Sequence, residues 1–327
     1  MAEPMGRPIG EQLVERRSRL KQALSSSPGD TQIRGLLAEV DAAIERVNGG
    51  TYGLCEVCEE PIEPDRLMAD PLVRFCLDHM TVDQRKALEQ DLALASQIQT
   101  ALLPRQSFDL AGWVTAYHYK GAGPVSGDYC DIFGSEDDLY FIVGDVSGKG
   151  VAASMLMAHL HASFRALVSL GMPLAEVMER ASRMFCESTL PTHFATLVCG
   201  KAKPTGEVEV CNAGHNPPLL IQGSKIDEIE ATGLPLGMFC EEKFTVSKAR
   251  LGPGDSIFLY TDGLVEAVDE TGVEYGTDRL YKVVRQGHRM TPDGLVSMCV
   301  EDMDAFRAGM PRLDDLTVMV IQRPSND

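Results

Sequence analysis

Short apolar runs that stop or start at an aspartate constrain this chain most. Residues 140–143 run into Asp145, residues 257–260 run into Asp262, and residues 316–321 follow the pair Asp314-Asp315. Apolar runs of this length, bounded by turn residues, read as buried strands. A strand that ends in Asp delivers a carboxylate to the rim of a sheet. Several such strands gather carboxylates that lie far apart in sequence. A fourth acidic signature, Gly127-Asp128-Tyr129, stands upstream. Hard divalent cations take oxygen ligands of this kind, and carboxylate-bound Mg2+ or Mn2+ completes its shell with water or substrate phosphate.

Strand patterns recur at residues 113–119, 139–143, 194–200, 207–211, 219–222, 256–260 and 316–322, with helical patterns at 151–169, 174–188, 278–286 and 293–306. Strands at hairpin spacing with separate helices predict an α+β fold. The N-terminal part is different. Ile9, Leu13, Leu20 and Leu24 predict a helix over 8–24, which Ser25-Ser26-Ser27-Pro28-Gly29-Asp30 breaks. Ile33, Leu36, Leu37, Val40, Ile44 and Val47 predict a second helix, ended by Asn48-Gly49-Gly50. Two helices with a tight turn form an antiparallel hairpin. A further helix spans 80–103, with Leu88, Leu92, Ala95, Ile98 and Leu102 on one stripe and Pro104 as its stop. Two readings of that stripe stand: a helix packed on its own domain, or a two-stranded coiled coil joining two chains.

Cysteine usage marks a second centre. Cys55-x2-Cys58 and Cys76-x2-His79 are separated by seventeen residues. Two close-spaced pairs of thiolate and imidazole ligands suit one closed, tetrahedral structural Zn2+. So small a segment has little core, and the metal supplies much of its folding energy. Six further cysteines (Cys130, Cys186, Cys199, Cys211, Cys240, Cys299) are scattered, several in apolar strands. They read as buried free thiols in a reducing compartment, none of them in a nucleophile motif.

A chain of 327 residues is expected to form two domains, and a net charge of −18 argues against general nucleic-acid binding. No uninterrupted apolar run approaches the length of a membrane span, and the first residues lack an apolar signal core. The expected location is cytoplasmic, with no membrane partner. Gly148-Lys149-Gly150 lacks the spacing of a phosphate-binding loop and reads as a tight turn that opens the helix at Val151. His159 and His161 lie two apart on one helix and are poor joint ligands.

The order of Leu92-Ala93-Leu94-Ala95-Ser96-Gln97-Ile98-Gln99, Leu102-Leu103-Pro104, Val125-Ser126-Gly127-Asp128-Tyr129, Gly144-Asp145-Val146-Ser147-Gly148-Lys149-Gly150, Asn212-Ala213-Gly214-His215-Asn216-Pro217-Pro218, Tyr260-Thr261-Asp262-Gly263-Leu264-Val265-Glu266-Ala267 and Asp314-Asp315-Leu316-Thr317 resembles the metal-dependent protein phosphatases (PPM), in the bacterial SpoIIE/RsbU branch. The resemblance covers about residues 91–322. It implies two stacked antiparallel sheets flanked by helices, with two Mn2+ or Mg2+ at one rim. It implies hydrolysis of a phosphoserine or phosphothreonine by in-line attack of a water bridging both ions, without a covalent intermediate. By resemblance Asp145 is shared by both ions with the Val146 carbonyl beside it, Asp128 serves one ion, and Asp262 and Asp314 serve the other. Asp315 stands next to Asp314 as the alternative ligand. Ser126 replaces a Gly common in the family. His215 belongs to a family signature and reads either as a general acid for the leaving oxygen or as a structural histidine.

Residues 33–79 resemble the DksA/TraR zinc-finger family through Gly50-Thr51-Tyr52-Gly53, Pro61-Ile62 and Arg66-Leu67-Met68-Ala69-Asp70-Pro71. His79 stands where most members carry Cys, and the hairpin tip holds only Asp30. The zinc fold carries over; action on RNA polymerase does not. The expected organisation is a hairpin and zinc finger at 1–80, a linker helix at 81–104 and a phosphatase domain at 105–327. The branch implies a phosphorylated STAS-type anti-sigma-factor antagonist as substrate and a linker at 80–103 that couples an upstream sensor to the phosphatase; a homodimer through that helix is the coiled-coil reading of its stripe. The rival reading is a non-catalytic scaffold or polymerase-interacting regulator with a vestigial phosphatase domain.

Overall fold

The computed structural model describes residues 6–26, 30–80, 82–105, 107–135 and 137–325. They divide into two compact units, Met1–Asp91 and Leu92–Asp327. The first unit holds helices α1 (Gly6–Ser26), α2 (Thr31–Gly49) and α3 (Pro64–Ala69) and a 3-10 turn at Leu77–His79. The breaker expected at 25–30 includes residues 27–29, which lie outside the described residues. Asp30 caps α2, its Oδ1 accepting the N–H of Gln32 at 2.9 Å and of Ile33 at 3.1 Å. Gly50 closes it in the left-handed region at φ 72°, its N–H turned back to Arg46 and Val47. Leu13, Val40 and Ala43 are buried between the paired helices. Helix α4 (Val82–Leu102) contains the boundary between the units.

The second unit holds strands β1 (Ser107–Leu110), β2 (Trp113–Lys120), β3 (Asp128–Ser135), β4 (Asp138–Val146), β5 (Ala195–Ala202), β6 (Glu207–Ala213), β7 (Leu219–Gln222), β8 (Lys225–Glu228), β9 (Ser247–Arg250), β10 (Ser256–Tyr260) and β11 (Leu316–Gln322). Its helices are α5 (Gly150–Val168), α6 (Leu174–Ser188), α7 (Asp262–Val265), α8 (Thr277–Gly287) and α9 (Pro292–Arg307). Strands pair antiparallel in two sheets, ordered β1-β2-β11-β10-β7-β8 and β3-β4-β5-β6-β9.

Strand alternation fixes the layering. On β4, Leu139, Phe141 and Val143 join Ile257, Leu259, Met319 and Ile321 in the core between the sheets. Tyr140 and Ile142 face the other way, into a cluster with Met157, Leu160 and Phe164 of α5 and Val177, Met178 and Phe185 of α6. On β10, Phe258 and Tyr260 turn outward onto Leu280, Val283 and Val284 of α8 and Leu295 and Cys299 of α9. The result is a sandwich of two antiparallel sheets with helices on both outer faces. Both faces of the central strands are apolar because both are covered.

Three features differ from the sequence reading. Strands β1, β3, β8 and β9, absent from that reading, lie at sheet edges, and Lys225, Asp227, Glu228, Lys248 and Arg250 give β8 and β9 the charged character of edges rather than an apolar signal. Cys186 and Cys240 are not free thiols: they form a disulfide with Cα atoms 5.4 Å apart across 54 residues. The end of α6 meets the loop after Gly237 there, a pairing that sequence spacing does not signal. Cys130, Cys199, Cys211 and Cys299 are free and buried as expected. Finally, α5 is long and apolar enough to cross a membrane by length and composition. Its apolar face is nevertheless the one packed on the second sheet.

Candidate functional site

The thiol cluster forms within the first unit. The ligand atoms of Cys55, Cys58, Cys76 and His79 all lie within 4.8 Å of one another. The Sγ atoms of Cys58 and Cys76 are 3.8 Å apart, and Cys76 Sγ is 3.2 Å from His79 Nδ1. Thiolates bound tetrahedrally to zinc at about 2.3 Å are separated by about 3.8 Å, so the sulfur spacing fits that ion. Burial works against the Cys55 thiolate, but the backbone N–H groups of Cys76, Cys58 and Val57 outweigh it and bring the thiol down to about 6. A thiol ionised near neutral pH is ready for a metal. Arg46 steadies the finger from α2, donating to the carbonyls of Val73 at 3.1 Å and Leu72 at 3.4 Å.

The carboxylates meet at one end of the sandwich. Pairing of β3 with β4 sets Asp128 directly opposite Asp145. Asp262 begins α7 just beyond β10, and Asp314 and Asp315 precede β11, which pairs with β10. Two threonines tie the sheets together there. Thr261 and Thr317 both donate their hydroxyls to Asp128 Oδ2, at 3.0 and 2.5 Å, and Thr317 N–H returns to Thr261 Oγ1 at 2.9 Å. Asp128 is thus buried, 1% exposed, with two threonine hydroxyls on its Oδ2.

Crowded like charges perturb the group. Burial, then Asp262, Asp314 and Asp315, push the Asp145 carboxyl up to about 7, with Lys149 pulling the other way. Burial and the neighbouring Asp145 raise Asp128 well above the usual range. Burial and Asp314 raise Asp262. Among the described residues the one ion pair in this group joins Lys149 Nζ to Asp314 Oδ2 at 2.9 Å. One buried and three half-buried carboxylates held together with so little positive charge suit hard divalent cations. A two-cation site spreads its ligands over two centres.

The adjacent aspartates differ in role. Asp315 is committed: Oδ1 accepts Ala122 N–H and Oδ2 accepts Gly127 N–H, both at 2.8 Å. Asp314 Oδ1 accepts only the N–H of Asp315, and Oδ2 faces Lys149. Two glycines allow the close packing. A Cβ on Gly127 would lie 3.0 Å from the Val146 carbonyl and 3.3 Å from Asp145 Oδ1, and one on Gly263 would lie 1.9 Å from the Asp315 carbonyl. Ser126 in place of Gly leaves the turn intact, its Oγ accepting Asp128 N–H at 3.1 Å.

His215 lines a cavity of about 350 Å3 together with Asp145, Thr196 and Asp262. Its Nδ1 is 2.9 Å from Thr196 Oγ1, and Thr196 pairs across the strands with Asp145. Asn212 fixes its backbone at both ends. Burial brings the imidazole down to about 4, against a smaller upward pull from the Tyr260 carbonyl, so it is neutral at physiological pH. A neutral imidazole is a hydrogen-bonding group rather than a proton reservoir here. His159 and His161 have separate partners, Ser188 and Asp131. Sequence reasoning missed the side-chain roles of Thr261, Thr317, Lys149 and Thr196. Each flanks or faces a signature aspartate, but no local rule shows which carboxylate it meets.

The comparisons agree with this fold. The chain is 26% identical over 263 residues to Protein IcfG of Synechocystis sp., covering 71% of this chain and 41% of that protein. It is 22% identical over 246 residues to the Bacillus subtilis protein named phosphoserine phosphatase RsbU, covering 73% and 72%. The chain thus spans less than half the length of the cyanobacterial relative. The SiaA-PP2C domain of Pseudomonas aeruginosa superposes with a TM-score of 0.66 at 19% identity, over 74% of this chain and 99% of that one, and so shares the fold. Residues 50–78 match the prokaryotic dksA/traR C4-type zinc finger, with His79 one position beyond the match where a fourth ligand is needed. Residues 135–324, more than half the chain, match the family model of stage II sporulation protein E, and with its two-sheet sandwich the chain belongs to the SpoIIE family.

Proposed function

We propose that the protein is a cytoplasmic, Mn2+- or Mg2+-dependent phosphatase acting on phosphoserine or phosphothreonine of a regulatory protein. One observation carries this reading: four aspartates from four strand ends converge on one rim with almost no positive charge among them. Asp128, Asp145, Asp262 and Asp314, with the Val146 carbonyl, would hold two divalent cations. When bound, such ions lower the pKa of a water and neutralise phosphoryl charge.

The chain's own residues set the rest. Thr261 and Thr317 orient Asp128, while Asp315, both of whose oxygens are taken by backbone N–H groups, holds the 122–127 loop instead of an ion. Lys149 stands beside Asp314, placed to exchange that partner for a substrate anion. His215 offers hydrogen bonding at the cavity through a ring held by Thr196.

Residues 1–80 would form a docking or sensing module around one Zn2+ held by Cys55, Cys58, Cys76 and His79. Residues 81–104 would link it to the phosphatase domain at 105–327, and two chains would pair along that helix. A STAS-type phosphoprotein is the proposed substrate, as the resemblance to the SpoIIE/RsbU branch implies, and the relative named phosphoserine phosphatase RsbU supports the phosphoserine chemistry. The test is hydrolysis of p-nitrophenyl phosphate and of a phosphorylated STAS protein, with and without Mn2+. Wild type is expected to turn over both only with the metal, and Asp145→Ala neither. Full activity in Asp145→Ala, or in metal-free buffer, would overturn the two-cation site. An inert wild type would favour the scaffold reading.

A further inference from the structure

Gln99 lies three residues before the end of α4 and is buried, 7% exposed. Its Nε2 donates to the Ser126 carbonyl at 2.7 Å, and its Oε1 accepts the Ser126 N–H at 3.0 Å. One side chain therefore takes both backbone hydrogen-bonding groups of one residue, as a neighbouring strand would. Ser126 begins the turn into the carboxylate site. Its hydroxyl accepts Asp128 N–H, and the next N–H, that of Gly127, is held by Asp315. Gly127 packs tightly, so that a Cβ there would lie 3.0 Å from the Val146 carbonyl and 3.3 Å from Asp145 Oδ1. A displacement of Ser126 is thus passed on to Gly127, and through it to Asp128 and Asp145.

We propose that Gln99 is a positioning residue for the divalent-cation site: it clamps the Ser126–Asp128 turn so that Asp128 faces Asp145, and it makes the seating of the last turn of α4 a condition for cation affinity. This rests on the reading of those carboxylates as cation ligands. Leu102, one turn on, packs into the α5–α6 core and seats the same end of the helix. Buried groups that orient metal ligands typically change affinity 10–100-fold when removed.

The test uses the full chain, kept free of chelators so that the zinc finger stays loaded. Mn2+ affinity is measured by titration calorimetry, hydrogen exchange is followed over residues 122–130, and kcat and KM are taken for p-nitrophenyl phosphate. Gln99→Met keeps length and burial but removes both hydrogen bonds. It is expected to weaken Mn2+ binding about tenfold or more, to lose exchange protection in the turn, and to recover kcat at saturating Mn2+ with KM unchanged. Gln99→Glu keeps the acceptor but cannot donate to the Ser126 carbonyl, and is expected to behave alike. Gln97→Ala, on the exposed side of the helix, is the unaffected control. Wild-type Mn2+ affinity in folded Gln99→Met would reduce the clamp to packing and overturn the proposal, leaving the phosphatase reading in place. A wild type that binds no Mn2+ would overturn both. A wild type that binds Mn2+ without turnover would end the phosphatase reading alone, with the affinity shift still deciding for or against the clamp.

Discussion

At the scale of residues, Asp145 gives the sharpest expectation. Its carboxyl sits at about 7 instead of the usual 3.8 because it is buried among like charges. The folded, Mn2+-free protein therefore holds that proton more tightly than the unfolded chain. The stabilisation is complete below about pH 4 and is lost as pH rises through 7, by an amount on the order of a few kcal/mol. Cation binding has the opposite sign, because it needs the carboxylate: Mn2+ affinity should climb as pH rises to 7 and level off above. Calorimetric titrations from about pH 5.5 to about pH 8, with melting curves of Mn2+-free protein, measure both slopes. Asp145→Asn should flatten them. A wild-type affinity that does not change over that range would show that Asp145 is not a ligand. Asp145, Asp262 and Asp314 were legible in the sequence because each borders an apolar run, and Asp128 through its Gly127-Asp128-Tyr129 signature. The hydroxyls of Thr261 and Thr317 were not, because their meeting on one carboxylate depends on the pairing of β10 with β11 and the stacking of the two sheets.

Among the elements, the helices with strong apolar periodicity were legible almost to the residue: the pattern over 174–188 is α6, and the pattern over 293–306 is α9 within a residue at each end. Strand β3 was not, because Asp128 and Asp131 interrupt its apolar face. Asp131 is tolerated at full burial because Arg165 of α5 meets it with two hydrogen bonds, at 2.7 and 2.6 Å. Helix α4 shows how one stripe divides. Leu102 faces the core of its own unit, while Ile98 of the same stripe remains 57% exposed. Packing on its own unit accounts for the C-terminal end, and pairing between chains would use the part that remains exposed. Leu92→Asp with Ile98→Asp would place like charges in such a seam, at a cost that burial makes high. The double variant should sediment as a monomer where wild type is a dimer, with Mn2+ binding retained because Gln99 and Leu102 are untouched. A wild type that is already monomeric at micromolar concentration would remove the pairing from the account.

For the whole molecule, the two units differ in what holds them folded. The phosphatase-like unit has three apolar clusters built on two sheets and their covering helices. The finger has one small cluster, in which Cys55 and Cys76 are themselves members beside Ile62 and Leu67. So small a cluster holds little folding free energy of its own, and a structural Zn2+ bound there would supply about 10–16 kcal/mol. Cys55→Ser or Cys76→Ser should therefore abolish zinc retention and open residues 50–80 to proteolysis, while residues 105–327 stay resistant and Mn2+-dependent hydrolysis survives. Elemental analysis, limited proteolysis and activity on p-nitrophenyl phosphate read the three consequences separately. Zinc retained in both variants would remove Cys55 and Cys76 from the ligand set. Loss of hydrolysis together with zinc, in a phosphatase unit that still melts as wild type, would mean that the finger does more than hold itself together and that its folding is coupled to catalysis.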